Sequence, residues 1–313
     1  MRTKTILITG GTGTFGKAFI KKFHNDFKKV IVFSRDEFKQ SVMQDEFKNT
    51  NVEFIIGDLR DYESVDEALK KSDIVIHAGA MKQVPTCEFF PEEAIKTNVL
   101  GTINVVKSFC RNNKEKLIVL STDKAVSPIN LYGATKMCGE KLVLNYQNNY
   151  NNKISCVRYG NVIGSRGSLF SLFNDQIKSG SIKITHPEMT RFWITVDGAI
   201  TLVRDVLEVM EGGEVFVPKL KSCRILDLVN IFYQSTKIEF TGIREGEKIN
   251  ETLISIDESI HNTISGEKYF VLKKKLFRTS VSEKGLFEYS SNQEENLLTK
   301  REDMVKEWGL KND

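Results

Sequence analysis

The sequence predicts an α/β protein built on a doubly wound parallel sheet. Two observations carry this. Short Val- and Ile-rich runs alternate with amphipathic stretches through the first half, and a glycine cluster joins the first run to the first such stretch. Runs that are apolar on both faces suit strands covered by helices on either side, the parallel-sheet case. The expected strands are residues 5–9, 30–34, 52–56, 74–78, 117–121 and 154–158. Between the first two, Phe15, Phe19 and Phe23 recur at i, i+4 and i+8, one face of a crossover helix. This βαβ succession is of the Rossmann type.

After about residue 165 the rhythm changes, and 168–179, 196–211 and 225–235 read as helices separated by short strands. The stretch 194–210 reads as a helix that returns to the first lobe. The expected division is therefore 1–165 plus about 193–212 for a dinucleotide-binding domain, with 166–192 and 213–313 forming a smaller, discontinuous α/β substrate-binding lobe. The polar tail from Ser290 onward has Leu297, Leu298 and Trp308 to anchor it.

Composition excludes several classes. A net charge of +4 with scattered lysines leaves no footprint for nucleic acid, although an anionic small molecule fits. No apolar run reaches the length of a membrane span, and the N-terminus lacks a signal-peptide core, so a cytoplasmic protein without membrane insertion is expected. Cys87, Cys110, Cys138, Cys156 and Cys223 show no paired spacing and are expected as buried, reduced thiols. His24, His186 and His261 have no partner pattern for a metal, and His77 reads as a hydrogen-bonded histidine at a strand end.

The run Thr9-Gly10-Gly11-Thr12-Gly13-Thr14-Phe15-Gly16 follows a strand and opens a helix. Gly10, Gly13 and Gly16 permit a tight turn, close approach of a pyrophosphate and close helix–strand packing. The helix N-terminus then offers N–H groups to phosphates. At the end of the second strand, where a carboxylate would select NAD, stands Ser34-Arg35-Asp36, with Lys39 one turn later. Arg35 can fork two hydrogen bonds onto a 2′-phosphate and Lys39 can add charge, so NADP is expected ahead of NAD, with Asp36 the opposing signal. Asp58, with Leu59, follows the third strand at the adenine end. Ala78-Gly79-Ala80 leads to Lys82 and supplies small residues for the nicotinamide side.

Two acid–base pairs follow the fifth strand. Tyr132 and Lys136 lie one helical turn apart and share a face. A tyrosine with a reference pKa of about 10 needs nearby positive charge to act as a base, and Lys136 and a nicotinamide ring would supply it. Asp123-Lys124, directly after Ser121-Thr122, adds an acid and an amine that a plain alcohol dehydrogenase does not need.

The glycine loop, Ser-Thr after the fifth strand and Tyr-x-x-x-Lys resemble the extended short-chain dehydrogenase/reductase family. Asp123-Lys124 resembles the inverting UDP-N-acetylglucosamine 4,6-dehydratases, where commoner 4,6-dehydratases carry Asp-Glu. Further matches are the runs 80–85, 158–162, 165–168, 189–193 and 242–248. The resemblance implies oxidation at C4, loss of the C5 proton to Lys124, and departure of the C6 hydroxyl with a proton from Asp123. Lys124 then needs a lowered pKa, and Asp123 must hold a proton. It implies catalytic roles for Thr122, Tyr132 and Lys136. It sets Lys82, Arg191 and Arg244 as cations near a UDP-sugar diphosphate, with Asn161 and Glu247 as polar partners. For Arg166 a nucleotide contact and a lobe-joining ion pair stay open. The implied substrate is UDP-N-acetylglucosamine, the implied assembly a homo-oligomer (dimer or hexamer), and the pathway that of surface polysaccharide or glycan sugars, with C3 epimerisation as a further capability. A UDP-sugar 4-epimerase would use Tyr132 and Lys136 but give Lys124 no task; a non-catalytic NADP-binding sensor would need neither pair.

Overall fold

A computed structural model describes residues 1–149, 152–234, 236–260, 263–273 and 286–310. Six parallel strands form its centre: β1 Thr5–Thr9, β2 Lys29–Ser34, β3 Val52–Ile56, β4 Ile74–His77, β5 Lys116–Thr122 and β6 Lys153–Tyr159. They lie in the order 3-2-1-4-5-6, the doubly wound arrangement with its crossover between β1 and β4. Ile6, Leu7 and Ile8 are fully buried because both sheet faces are covered. Each contributes about 1.5–3 kcal/mol of apolar burial. The crossover helix α1, Thr14–Phe23, buries Phe19 and stacks it near Phe15 and Phe23, as the spacing of the three rings requires.

The sheet reaches further along the chain than expected. Glu214–Pro218 pairs in parallel with β6, Tyr269–Lys273 pairs antiparallel to it, and Thr263–Ser265 closes the edge. These nine strands include three from the 213–313 segment expected in the smaller lobe. The cause is the run Val215-Phe216-Val217, which is buried on both faces like the central strands. The returning helix spans Val196–Val209 and packs on α1. It starts where the 196–211 stretch predicts, two residues after the start of the 194–210 reading, because Ile194 and Thr195 end the strand Thr190–Thr195, and the Thr195 side chain caps the helix. Helices at Leu169–Ile177 and Ile225–Phe232 match the expected stretches; Ser235 lies outside the described residues.

A second core gathers Phe173, Ile182, Trp193, Leu228 and Met304 beside short sheets formed by 181–184 with 237–240 and by 190–195 with 222–224. Trp308 packs into it with its ring 6.3 Å from Trp193, which anchors the tail as its apolar residues suggested. Four cysteines are buried, but Cys138 is exposed on the outer face of the helix Leu131–Asn149.

One buried ion cluster ties this long helix to the later segments. Arg158 on β6 donates to Glu140 at 2.6 Å and to Glu258 at 2.8 Å, and also to the Leu253 carbonyl at 2.7 Å. Burial alone would raise the Glu258 carboxyl, but Arg158 outweighs it and holds it below its ordinary value. Its stabilisation is therefore present above the free-carboxyl range and is lost as pH falls through the folded value. Arg158→Leu should cost about 3–5 kcal/mol in denaturant unfolding, because it strips the guanidinium from the buried Glu140. Replacing Arg158 and Glu140 together by apolar residues should recover much of that loss; equal instability of the single and double variants would contradict the assignment.

Candidate active site

A cleft of about 1340 Å³ runs along the carboxyl ends of the parallel strands, past the crossover between β1 and β4. It has room for a dinucleotide and a second nucleotide ligand together. Of the residues singled out for a cofactor, Gly10, Thr12, Gly13, Thr14, Phe15, Ser34, Arg35, Lys39, Asp58, Leu59, Ala78, Ala80 and Lys82 line it. Gly16 does not; it is buried behind the loop, against Gly11.

Sequence chemistry explains the loop. Gly10 has φ of +64°, and a Cβ there would stand 2.6 Å from the Gly79 Cα, so only glycine lets the two strand-end turns meet. Gly13 caps α1 without a side chain, and the first turn carries no acidic residue. The N–H groups there are left to an anion, and this cradle fits the pyrophosphate of a dinucleotide. Beside it, Asp36 is taken up locally: its carboxylate caps the helix Glu37–Glu46 by accepting from the Lys39 N–H, and it pairs with the Lys39 amine. The Arg35 side chain is 58% exposed and stands 3.8 Å from Asp58. Its guanidinium therefore faces the cleft while its neighbour's carboxylate is occupied.

Arg166 packs against the glycine loop and Lys82. Its N–H donates to Thr14 Oγ1 at 3.3 Å, its guanidinium donates to the Thr12 carbonyl at 3.4 Å, and its carbonyl accepts from Lys82 Nζ at 2.9 Å. The contacts seat it on the glycine loop. Burial and the Arg166 charge pull the Lys82 ammonium below its ordinary value.

On the opposite wall, β5 ends at Thr122 and a short 3-10 turn carries Asp123 and Lys124. The helix Leu131–Asn149 carries Tyr132 and Lys136. Thr122, Lys124, Tyr132 and Lys136 line the cleft; Asp123 is fully buried one layer behind it. Asp123 Oδ1 accepts from Thr122 Oγ1 at 2.9 Å and from Lys124 Nζ at 3.1 Å, while its Oδ2 is buried with no hydrogen-bond partner among the described residues.

Two electrostatic expectations are corrected. Burial pushes the Tyr132 hydroxyl up to about 12, and the cation that pulls it back is Lys124, with the neighbouring Thr122 hydroxyl acting the same way. Burial draws the Lys124 amine down, but the Asp123 and Glu251 carboxylates outweigh it and hold the ammonium above its ordinary value. Lys136 is held below its ordinary value by burial. His77 is a hydrogen-bonded strand-end residue, between Thr9 Oγ1 at 2.7 Å and Thr102 Oγ1 at 3.0 Å, and burial holds it neutral with a pKa of about 3.

The residues expected near a sugar nucleotide also reach the cleft: Asn161, Arg191, Arg244 and Glu247 line it. Asn161 turns to Lys124, with Oδ1 3.4 Å from Nζ. Arg191 reaches the cleft as a held cation. It is buried, and its guanidinium donates to the carbonyls of Thr190 at 2.7 Å, Lys248 at 2.8 Å and Ile249 at 2.9 Å. Its chemistry here is to fix the segment 247–251.

Three contributors were given no role from the sequence, Lys248 among them although it ends the matched run 242–248. Glu251 lines the cleft 3.2 Å from Lys124 Nζ. Lys248 donates to the Val126 carbonyl at 2.6 Å. Asn98 sits in a widened helical turn, accepts from the Met81 N–H at 2.8 Å, and donates to the Met81 carbonyl and Thr135 Oγ1, which fixes the strand-end loop 80–82 against the long helix. The only signal for Glu251 was its place just beyond the run 242–248.

The polysaccharide biosynthesis protein family model matches residues 6–274. A Campylobacter jejuni protein named UDP-N-acetylglucosamine 4,6-dehydratase (inverting) is 44% identical over 276 residues, 86% of this chain and 82% of that one. A Rickettsia canadensis protein named UDP-glucose 4-epimerase is 45% identical over 279 residues, 85% of this chain and 82% of that one. The X-ray structure of Pen from Bacillus thuringiensis superposes with a TM-score of 0.89 at 34% identity, over 97% of this chain and 98% of that chain. The family match begins inside β1 and runs past the antiparallel strand Tyr269–Lys273, so it takes in both walls of the cleft, and the chain belongs to the polysaccharide biosynthesis protein family.

Proposed function

We propose that this chain is a UDP-N-acetylglucosamine 4,6-dehydratase that inverts C5. The observation that carries the reading is Lys124 Nζ on the cleft wall, 3.1 Å from Asp123 Oδ1 and acting electrostatically on Tyr132. A 4-epimerase, the name borne by the Rickettsia relative, gives that amine nothing to do.

In this reading Gly10, Gly13, Thr12 and Thr14 hold a dinucleotide pyrophosphate, with Arg166 beside them. Arg35 reads a 2′-phosphate, which favours NADP, because Asp36 is engaged with Lys39. A bound nicotinamide supplies transient oxidation at C4 and the closing reduction at C6. Tyr132 takes the proton of the 4-hydroxyl. Lys124 takes the C5 proton, made acidic by the neighbouring ketone. Asp123 gives a proton toward the C6 oxygen, which leaves as water; the Thr122 hydroxyl, bonded to it at 2.9 Å, is its outlet to the cleft. From the resting ion pair Lys124 first passes its proton to Asp123 across 3.1 Å. Once Lys124 has gained the C5 proton and Asp123 has given one to the leaving oxygen, the pair is again ammonium and carboxylate, without bulk solvent. Tyr132 returns a proton to the opposite face of C5. Lys82 and Arg244 face the diphosphate, Asn161 and Glu247 supply polar edges, and Arg191 orders the segment that carries them. The dinucleotide lobe takes in Glu214–Pro218, Thr263–Ser265 and Tyr269–Lys273, and the sugar lobe is the remainder of 166–192 and 213–313.

Lys124→Ala should lose 6-deoxy product by at least about 100-fold while dinucleotide binding persists, since the residue lies outside the glycine loop. Proton NMR of UDP-N-acetylglucosamine incubations reads the methyl doublet; near-wild-type turnover by the folded variant would remove Lys124 from the mechanism. In deuterium oxide the wild-type product should be inverted at C5 and carry deuterium there. A product that keeps the C5 configuration, or a C4-inverted sugar that keeps its 6-hydroxyl, would sink the reading. Arg35→Asp should move the ratio of NADP to NAD dissociation constants toward NAD by at least about tenfold, through loss of the guanidinium and repulsion of the 2′-phosphate. An unmoved ratio would show that another residue reads that phosphate.

A further inference from the structure

Lys124 has a second carboxylate partner that the acid–base set above does not use. Glu251 is 2% exposed, with Oε1 3.2 Å from Lys124 Nζ and 3.9 Å from Arg191 Nε. Its Oε2 is buried without a hydrogen-bond partner among the described residues. The backbone of Glu251 is fixed independently of its side chain: its N–H donates to Ser291 Oγ at 2.9 Å, and its carbonyl accepts from the Ser291 N–H at 2.8 Å. The carboxylate is therefore placed by the chain and not by the ion pair.

An ammonium has three N–H groups, and three side-chain oxygens surround this one: Asp123 Oδ1 at 3.1 Å, Glu251 Oε1 at 3.2 Å and Asn161 Oδ1 at 3.4 Å. A free amine has two N–H groups and a lone pair. For Lys124 to accept a proton from carbon, one of the three contacts must give way and the lone pair must turn to the cleft. Asp123 is needed to receive the proton that Lys124 gives up before it acts as base, and Asn161 is uncharged. Glu251 is the contact that binds the charged form and has no other task. We propose that Glu251 is a positioning residue for Lys124, holding Nζ as an ammonium between turnovers and releasing it when Lys124 becomes the base. The inference rests on the dehydratase reading, which gives Lys124 its task.

Every charged or titratable group facing Lys124 enters the balance. Asp123 belongs to the same turn, Tyr132 to the long helix, Arg191 to the strand Thr190–Thr195, and Lys248 and Glu251 to the segment 247–251; Glu247 stands 3.8 Å from Arg191. Without Glu251, one carboxylate in direct contact remains, facing Lys124 together with the cations Arg191 and Lys248. The amine must then lose its proton at lower pH.

The experiment uses the full-length protein without substrate. Trace acetic anhydride labels lysines in proportion to their free amine, and mass spectrometry compares Lys124 with Lys178, an exposed lysine far along the chain. In Glu251→Gln, which keeps the shape and removes the charge, the Lys124-to-Lys178 labelling ratio at pH 9 should rise about tenfold, the effect of one pKa unit. Glu251→Asp should stay nearer the wild-type ratio. The rising limb of the pH–rate profile for 6-deoxy product should move to lower pH in Glu251→Gln, with KM little changed. An unmoved ratio in a folded Gln variant overturns the proposal. So does a wild-type Lys124 whose labelling rises with pH in step with Lys178, a result that needs no variant. Absence of 6-deoxy product from the wild type would overturn the dehydratase reading instead, while the labelling ratio still decides whether Glu251 controls Lys124.

Discussion

The approach of the helix Leu131–Asn149 to the turn that carries Asp123 and Lys124 is the constraint on which the site depends. Gly133 is the point of contact, and a Cβ at that position would stand 2.1 Å from the Lys124 carbonyl oxygen. Only a residue without a side chain lets the helix settle there. Because it does, Tyr132 on one side of the contact and Thr122, Asp123 and Lys124 on the other form a single electrostatic unit. A side chain there would force the helix or the turn to shift. The two acid–base pairs are thus one construction.

That construction is held from behind by ordered polar contacts. Arg158 ties the same helix to β6 and to the later segments through Glu140 and Glu258, and Asn98 ties it to the strand-end loop through Thr135 and Met81. Buried networks of this kind restrict a structure to one arrangement, because each group left unpaired in low dielectric is costly. The same low dielectric explains the charge state of the site. Burial opposes ionisation of Lys124, yet two carboxylates at about 3 Å outweigh it, so the amine is held charged.

The two walls of the cleft are physically different. The wall at the glycine loop is built from backbone and small residues at strand ends, where helix N–H groups and glycines face the cleft. The opposite wall is built from side chains that come from distant parts of the chain and meet at Lys124: Asn161, Arg191 and Glu251, with Asp123 behind them. Arg191 stands between these roles. It is a charged residue whose donors go to backbone carbonyls, so it places Glu247, Lys248 and Glu251 and is not a free cation in the cleft.

By itself the sequence determined whatever depends on local chemistry. The Val and Ile runs set the six parallel strands within a residue or two, the Phe15, Phe19 and Phe23 spacing set the first helix, and the glycine spacing set the turn at Gly10. Asp123-Lys124 and Tyr132-Lys136 were legible because their partners are neighbours in the chain. Tertiary structure alone decided the rest. Glu214–Pro218 and Tyr269–Lys273 join the main sheet, a pairing that depends on which edge is free and not on any local pattern. Lys124 is a held ammonium where a lowered amine was expected, because its second carboxylate lies 127 positions along the chain. Sequence spacing carries no information about contacts of that kind. Their energy comes from burial and from distances of about 3 Å, and both exist only once the chain has folded.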